Sequence, residues 1–149
     1  MHVVMPGQGT SVSALGSTYT SKTDGAAVAA AYSLVEEEFW GDPTPLHRHL
    51  NEEEAFYVLS GEVAVWVDGA EVVTAPGTFL VVPRGAAHAV RRITEGPVRM
   101  LTVISPPGLQ RLFDAVVERG ESALLEDPEE LRRLAKAYGS EILGPHPLD

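Results

Sequence analysis

Cysteine is absent from the 149 residues, and its absence excludes disulfide bonds, thiolate nucleophiles and thiolate metal ligands together. A transition metal held by this chain is therefore held by imidazole nitrogen and carboxylate oxygen. No apolar run approaches the ~20 residues that a membrane span needs. Met1 to Gly9 has neither the basic start nor the apolar centre of a signal peptide. The sequence thus reads as cytoplasmic, with no membrane partner. Positive charge is scarce as well: 11 Lys plus Arg stand against 21 Asp plus Glu, a net charge of −10. Such a surface repels polyanions, so nucleic acid is excluded as a partner. The length fits one domain, 1–149, around a single core.

What is present is a series of short apolar runs punctuated by Gly and Pro. Residues 1–15 form an extended arm that is free to pair with another subunit. Tyr19 to Lys22 and Ala26 to Phe39 read as strands around the Asp24-Gly25 turn, and Glu36 to Glu38 as the solvated end of the second. Glu62 to Val67 and Ala70 to Thr74 flank Asp68-Gly69, a hairpin signal. Gly77 to Val82, Ala87 to Ile93 and Val98 to Ile104 complete a β region over 16–108. This spacing predicts an all-β sandwich or jelly roll. After Ser105-Pro106-Pro107-Gly108 the apolar period becomes helical over 109–149. Leu109, Leu112, Phe113, Val116 and Val117 form one stripe before Gly120. Leu131, Leu134, Ala135 and Tyr138 form a second, with Asp127 as cap and Pro128 in the first turn. Two C-terminal helices are expected, with both stripes as packing surfaces.

The chemistry concentrates between Gly41 and Gly61. His47 and His49 precede an apolar run, and in a strand their spacing puts both rings on one face, with Cα atoms roughly 6.6 Å apart at about 3.3 Å per residue. Both imidazoles can then converge on one ion. A carboxylate is needed nearby, and Glu52, Glu53 and Glu54 all compete for that role. On the following strand Glu54 shares a face with Phe56 and Val58. A further histidine, His88, follows the Pro83-Arg84-Gly85 turn. His2 and His146 lie near the termini and are set aside.

The spacing resembles the two motifs of the cupins. In the first, Gly41 is followed after five residues by His47-x-His49, after four more by Glu54 and after six more by Gly61. In the second, Gly77 is followed after five residues by Pro83-x-Gly85 and after two more by His88. The family's closing asparagine, four residues after the last histidine, is replaced here by Arg92. The resemblance covers 16–108. A looser likeness, in Ser105 to Gly108 and Tyr138 to Pro145, is to the tail of small bacterial quercetin-dioxygenase-like cupins.

This resemblance implies a double-stranded jelly-roll barrel holding one divalent transition metal on His47, His49, Glu54 and His88. The ion is iron, nickel, manganese, cobalt, copper or zinc, since all accept such donors. Three imidazoles and one carboxylate leave coordination positions open for water, substrate or dioxygen, which is catalytic architecture. Glu54 is implied as a base for a substrate hydroxyl. The leading function is a metal-dependent dioxygenase acting on a small hydroxylated aromatic, enolisable or polyketide-like compound. A redox-neutral isomerase or cyclase and a non-catalytic binder are the alternatives. Tyr32, Phe56, Phe79 and Met100 are candidates to line the interior. Arg92 shares the strand parity of His88 and Val90, and either holds a substrate carboxylate or enolate or forms a rim salt bridge. A homodimer is expected from the family.

Overall fold

The computed structural model describes residues 1–148. Among the described residues eleven strands form two antiparallel sheets. One runs in the order β1 (Thr10–Ala14), β2 (Ser17–Thr23), β3 (Ser33–Phe39), β10 (Val98–Ser105), β5 (Glu53–Ser60), β8 (Phe79–Val82). The other runs β11 (Ser140–Gly144), β4 (Leu46–His49), β9 (His88–Arg92), β6 (Val63–Val67), β7 (Ala70–Thr74). From β3 to β10 the chain crosses between the sheets at every step except the β6–β7 hairpin, which makes this a double-stranded jelly roll. Three short helices, α1 (Gln110–Arg119), α2 (Glu121–Glu126) and α3 (Pro128–Ala137), follow the last barrel strand. Among the described residues no helix is long and apolar enough to cross a membrane.

Strand alternation decides what lies inside. On β3 the inward set is Ser33, Val35, Glu37 and Phe39, on β10 Val98, Met100, Thr102 and Ile104, and on β5 Glu54, Phe56 and Val58. Phe39, Phe56, Val63, Val65, Val98 and Met100 pack as a core within the barrel. Each such side chain contributes roughly 1.5–3 kcal/mol by leaving water. A second core joins Ala14, Val35 and Ile104 to Leu112, Phe113 and Val116 of α1 and Leu134 of α3. The helices therefore close one end of the barrel.

Four sequence expectations change. Ala26 to Phe39 is not one strand: Ala26–Val28 is a 3-10 turn, Ala29 and Ala30 have φ of 53° and 57°, and β3 starts at Ser33. Asp24 Oδ1 accepts from Ala26 N at 3.0 Å, and Gly25 packs so closely on Pro107 that a Cβ there would strike its ring. The alanine run has no large side chain to hold it on the sheet, so the turn prevails. The tail has three helices, not two, because Gly120 at φ 86° separates α1 from a six-residue α2 that buries only Leu124. A helix that short shows no period to read. Beyond α3, capped by Asp127 Oδ1 on Glu130 N at 3.1 Å, the chain returns to β structure. β11 pairs with β4 in the register Ser140↔His49 and Ile142↔His47, with Arg48 and Glu141 joined by an ion pair at 2.6 Å. Within the stretch read as an arm, β1 pairs with β2 of its own chain, supported by Ser11–Thr20 and Ser13–Thr18 hydroxyl contacts at 2.8 Å.

Candidate metal centre

The alternation of β4 sends His47 and His49 inward and Arg48 outward to Glu141. His88 opens β9 directly opposite His47 in the ladder. The turn before it is tied to β4, since Gly85 (φ 78°) donates its N–H to the His49 carbonyl at 2.8 Å and Ala86 N donates to Pro83 O at 3.0 Å. The glycine that opens the first motif has a steric reason too: Gly41 N donates to Gly16 O at 2.7 Å, and a Cβ on Gly41 would run into the Gly16 backbone.

The three rings lie with centroids 4.2–5.2 Å apart, and one nitrogen from each falls within 4.8 Å of the others. Each ring is fixed through Nδ1. His47 Nδ1 meets Pro45 O at 2.8 Å, His88 Nδ1 meets Ala86 O at 3.0 Å and His49 Nδ1 meets Ser140 Oγ at 2.8 Å. A carbonyl only accepts, so in the neutral rings of His47 and His88 the proton sits on Nδ1 and Nε2 keeps its lone pair. That is the tautomer and the outer support of a metal-bound histidine. His88 Nε2 is fully buried without a hydrogen-bond partner, an atom whose burial a cation would compensate. Burial, then the neighbouring His88 and His49, depresses the His47 pKa to about 3, keeping that ring neutral. These three histidines are positioned to bind a metal ion.

Glu54 adjoins them. Its Oε2 lies 3.3 Å from His49 Nε2 and 3.2 Å from His88 Nε2. Burial alone would raise its pKa, but the charge of the adjacent His49 ring holds it well below the usual carboxylate range. In His49 burial is likewise outweighed, here by Glu54, and the ring pKa is raised. Of the competing acids, Glu53 faces outward on β5, and Glu52, although buried, lies beside Gly108.

The centre opens into a cavity of about 570 Å³, within the range of small-molecule sites, roughly 300–1,000 Å³. Of the residues read as lining candidates, Phe56 and Met100 are on its wall. Tyr32, Phe79 and Arg92 are not. Tyr32 sits in the turn before β3 with 37% exposure, and Phe79 has the outward parity of β8 with 63% exposure. Among the described residues Arg92 neither lines the cavity nor forms a rim salt bridge: its guanidinium donates to the carbonyls of Gly41, Glu95 and Gly96 at 2.9–3.1 Å, which ties the β9–β10 loop to the first motif.

Other wall residues came from places the sequence reading left structural. Leu112, Phe113, Leu125 and Leu131 of the helices line the cavity, as do Ser140 and Ile142 of β11. Glu37 lines it as well, 9% exposed, although its run reads as a solvated strand end. Strict alternation along Val35-Glu36-Glu37-Glu38-Phe39 was the available signal, because Glu37 shares parity with two core residues. His146, set aside as terminal, is buried at 3% exposure and takes a hydrogen bond on Nδ1 from Leu148 N at 3.2 Å.

Comparison with known proteins agrees with this geometry. Residues 40–104, which carry both motifs, match the family described as "Cupin domain". The fold is the cupin jelly roll. A similar protein is the quercetin 2,3-dioxygenase of Bacillus subtilis (strain 168), 31% identical over 93 residues that make up 62% of this chain and 27% of that protein. This chain spans about a quarter to a half of the length of the curated relatives it matches. Among solved structures, KdgF from Halomonas sp. superposes with a TM-score of 0.60 at 18% identity, over 69% of this chain and 93% of that one. An RmlC-like cupin from Shewanella frigidimarina gives 0.60 at 20% identity, over 71% and 91%. The nucleoside dehydratase Pac13 gives 0.57 at 13%, over 71% and 82%. At these identities the structural likeness concerns the fold alone.

Proposed function

We propose that this chain is a metal-dependent oxygenase of small, hydroxylated aromatic or enolisable compounds. The observation that carries the proposal is the convergence of three neutral-capable imidazoles and one ionised carboxylate at the wall of a largely apolar, aromatic-bearing cavity. His47, His49 and His88 hold a divalent transition metal, with Glu54 as the fourth donor. Bound there, such an ion supplies Lewis-acid polarisation of a substrate oxygen and, where it is redox-active, electron transfer to dioxygen. Glu54 accepts the proton of the substrate hydroxyl on the carboxylate oxygen that it does not offer to the ion. Phe56, Met100 and Ile104 exclude water around the reacting group. The similarity to a quercetin 2,3-dioxygenase supports the substrate class.

The same donor set also serves a redox-neutral isomerase or cyclase, in which polarisation alone is used. Oxygen-electrode assays of protein loaded separately with iron, nickel, manganese, cobalt, copper or zinc, against a panel of flavonols and simpler enols, decide between them. Substrate-dependent oxygen uptake is expected. Turnover without oxygen uptake establishes the redox-neutral reading, and no turnover with any metal removes both enzyme readings.

A second copy of the chain is the proposed partner. Tyr57 and Phe79 are paired across β5 and β8 with both rings exposed, and Val81 extends this apolar face along the edge strand. Sedimentation at micromolar concentration is expected to give a dimer, and monomer alone would sink that assignment.

A further inference from the structure

Glu37 is a second carboxyl group in the cavity, outside the histidine cluster. It sits on β3 between Tyr19 of β2 and Met100 of β10 in the sheet register. Its two oxygens are held apart by two hydroxyls: Ser17 Oγ donates to Oε1 and Thr102 Oγ1 donates to Oε2, both at 2.8 Å. A carboxylate offers about four acceptor positions, and these contacts use two. The unused acceptors belong to a side chain that lines the cavity. Leaving them unpaired in an apolar enclosure is costly, so a hydrogen-bond donor from a ligand is the natural complement. Burial, against the smaller opposing effect of the two hydroxyls, pushes the Glu37 pKa up to about 7, in keeping with a carboxyl that lacks a cationic partner.

Charge around the cavity narrows the ligand further. Its lining includes four acidic residues, Glu37, Asp42, Glu54 and Glu121, and among the described residues that line it none is Lys or Arg. Away from the histidine centre a ligand carboxylate or phosphate would meet no Lys or Arg, whereas a hydroxyl group meets an acceptor. Aromatic walls at Tyr19 and Phe113, stacked at 4.0 Å, lie on the same side of the cavity as the helices.

We infer that Glu37, held by Ser17 and Thr102, is the specificity-determining site for a second, uncharged hydroxyl on the substrate, remote from the oxygen that engages the histidine centre. The inference rests on the aromatic-substrate reading above and adds to it a two-point recognition: one oxygen at the histidines, one hydroxyl donor at Glu37, and no anionic substituent.

The test uses the zinc-loaded 149-residue chain, so that binding is read without oxidation. Dissociation constants are measured by fluorescence for 3-hydroxyflavone, which has only the chelating oxygen pair, and for 3,4′-dihydroxyflavone, which adds a distant hydroxyl. The wild type is expected to favour the dihydroxy compound by about tenfold, the scale of one hydrogen bond to a charged acceptor. Glu37→Gln is expected to reduce that preference to within about twofold while leaving 3-hydroxyflavone binding little changed. A purely structural role for Glu37 would weaken both ligands alike. Equal binding of the two flavonols by the wild type, or a preference that survives in Glu37→Gln, overturns the inference and leaves the aromatic-substrate reading standing. Failure of either flavonol to bind fully zinc-loaded wild type sinks that reading and this inference with it. Should Glu37→Gln not fold, the wild type decides alone through the 4′-methoxy and 4′-carboxylate analogues. A loss of about tenfold or more for both supports the hydroxyl-donor site, and undiminished binding of either overturns it.

Discussion

Two carboxylates share one cavity and are driven in opposite directions. Glu54 stands among imidazoles and is held well below the usual carboxylate range. Glu37 receives only two neutral hydroxyls, and burial lifts it to about 7. Both are buried on inward positions of the same sheet, so depth is not what separates them. The partners decide: a nearby positive charge stabilises the ionised form far more than a pair of hydroxyl donors does. One carboxylate adjoins the histidines that can hold a cation, and the other keeps free acceptors for a hydrogen-bond donor.

The comparison is broken most completely by removing the cationic end's ligands. His47→Ala combined with His88→Ala takes away both rings that face each other across the β4–β9 ladder, and metal content by elemental analysis is expected to fall from near one ion per chain to less than a tenth of that. Retention of the parental metal content would show that the site lies elsewhere.

Glu37 gives a comparably large effect, visible in stability. A buried carboxyl whose pKa rises on folding, from 4.5 to about 7, binds more protons folded than unfolded. Its contribution is fully present below pH 4.5 and is lost as pH rises through about 7. The wild type is therefore expected to lose stability relative to Glu37→Gln, by on the order of 3 kcal/mol between those limits. Other titrating groups are common to both proteins and cancel in the difference. Denaturant melts at a series of pH values check it, and parallel curves for the two proteins would contradict a raised Glu37.

At the other carboxylate, Glu54→Gln removes the charge and the basic oxygen while keeping the shape. Activity per bound metal ion is expected to fall by ~10²-fold, the scale of a positioned general base. A parental rate per metal would leave Glu54 as a ligand only.

The smallest expected effect sharpens the comparison from outside the ring of donors. Ser140→Ala deletes the hydroxyl at 2.8 Å from His49 Nδ1 and is expected to weaken metal affinity by about tenfold, with the fold unchanged. Competition with a chromogenic chelator measures it, and unchanged affinity would mean that β11 supports the site by packing alone.

Much of the histidine end was legible in the chain. His47 and His49 share a strand face at a separation of two, Pro83 and Gly85 announce the turn that delivers His88, and the parity of Glu54 with Phe56 and Val58 aims it inward. These are local facts, fixed by the two-residue period of a strand and by turn stereochemistry. Glu37 obeyed the same parity, but three consecutive glutamates read as a solvated end, because ordinary burial of a carboxylate without a partner is unfavourable. Its partners, Ser17 and Thr102, lie 20 and 65 residues away in the chain.

The alternation of β4 and β5 and the turn before β9 thus belonged to the sequence, each being set by residues within a few positions of one another. Tertiary structure decided the rest. It brought β11 back beside β4 to put Ser140 on His49, laid the helices across the barrel end as cavity wall, and turned Tyr32, Phe79 and Arg92 away from it. Local pattern specifies which face a side chain takes, but which strand becomes its neighbour depends on pairing between segments far apart in the chain, where no short-range period carries the information.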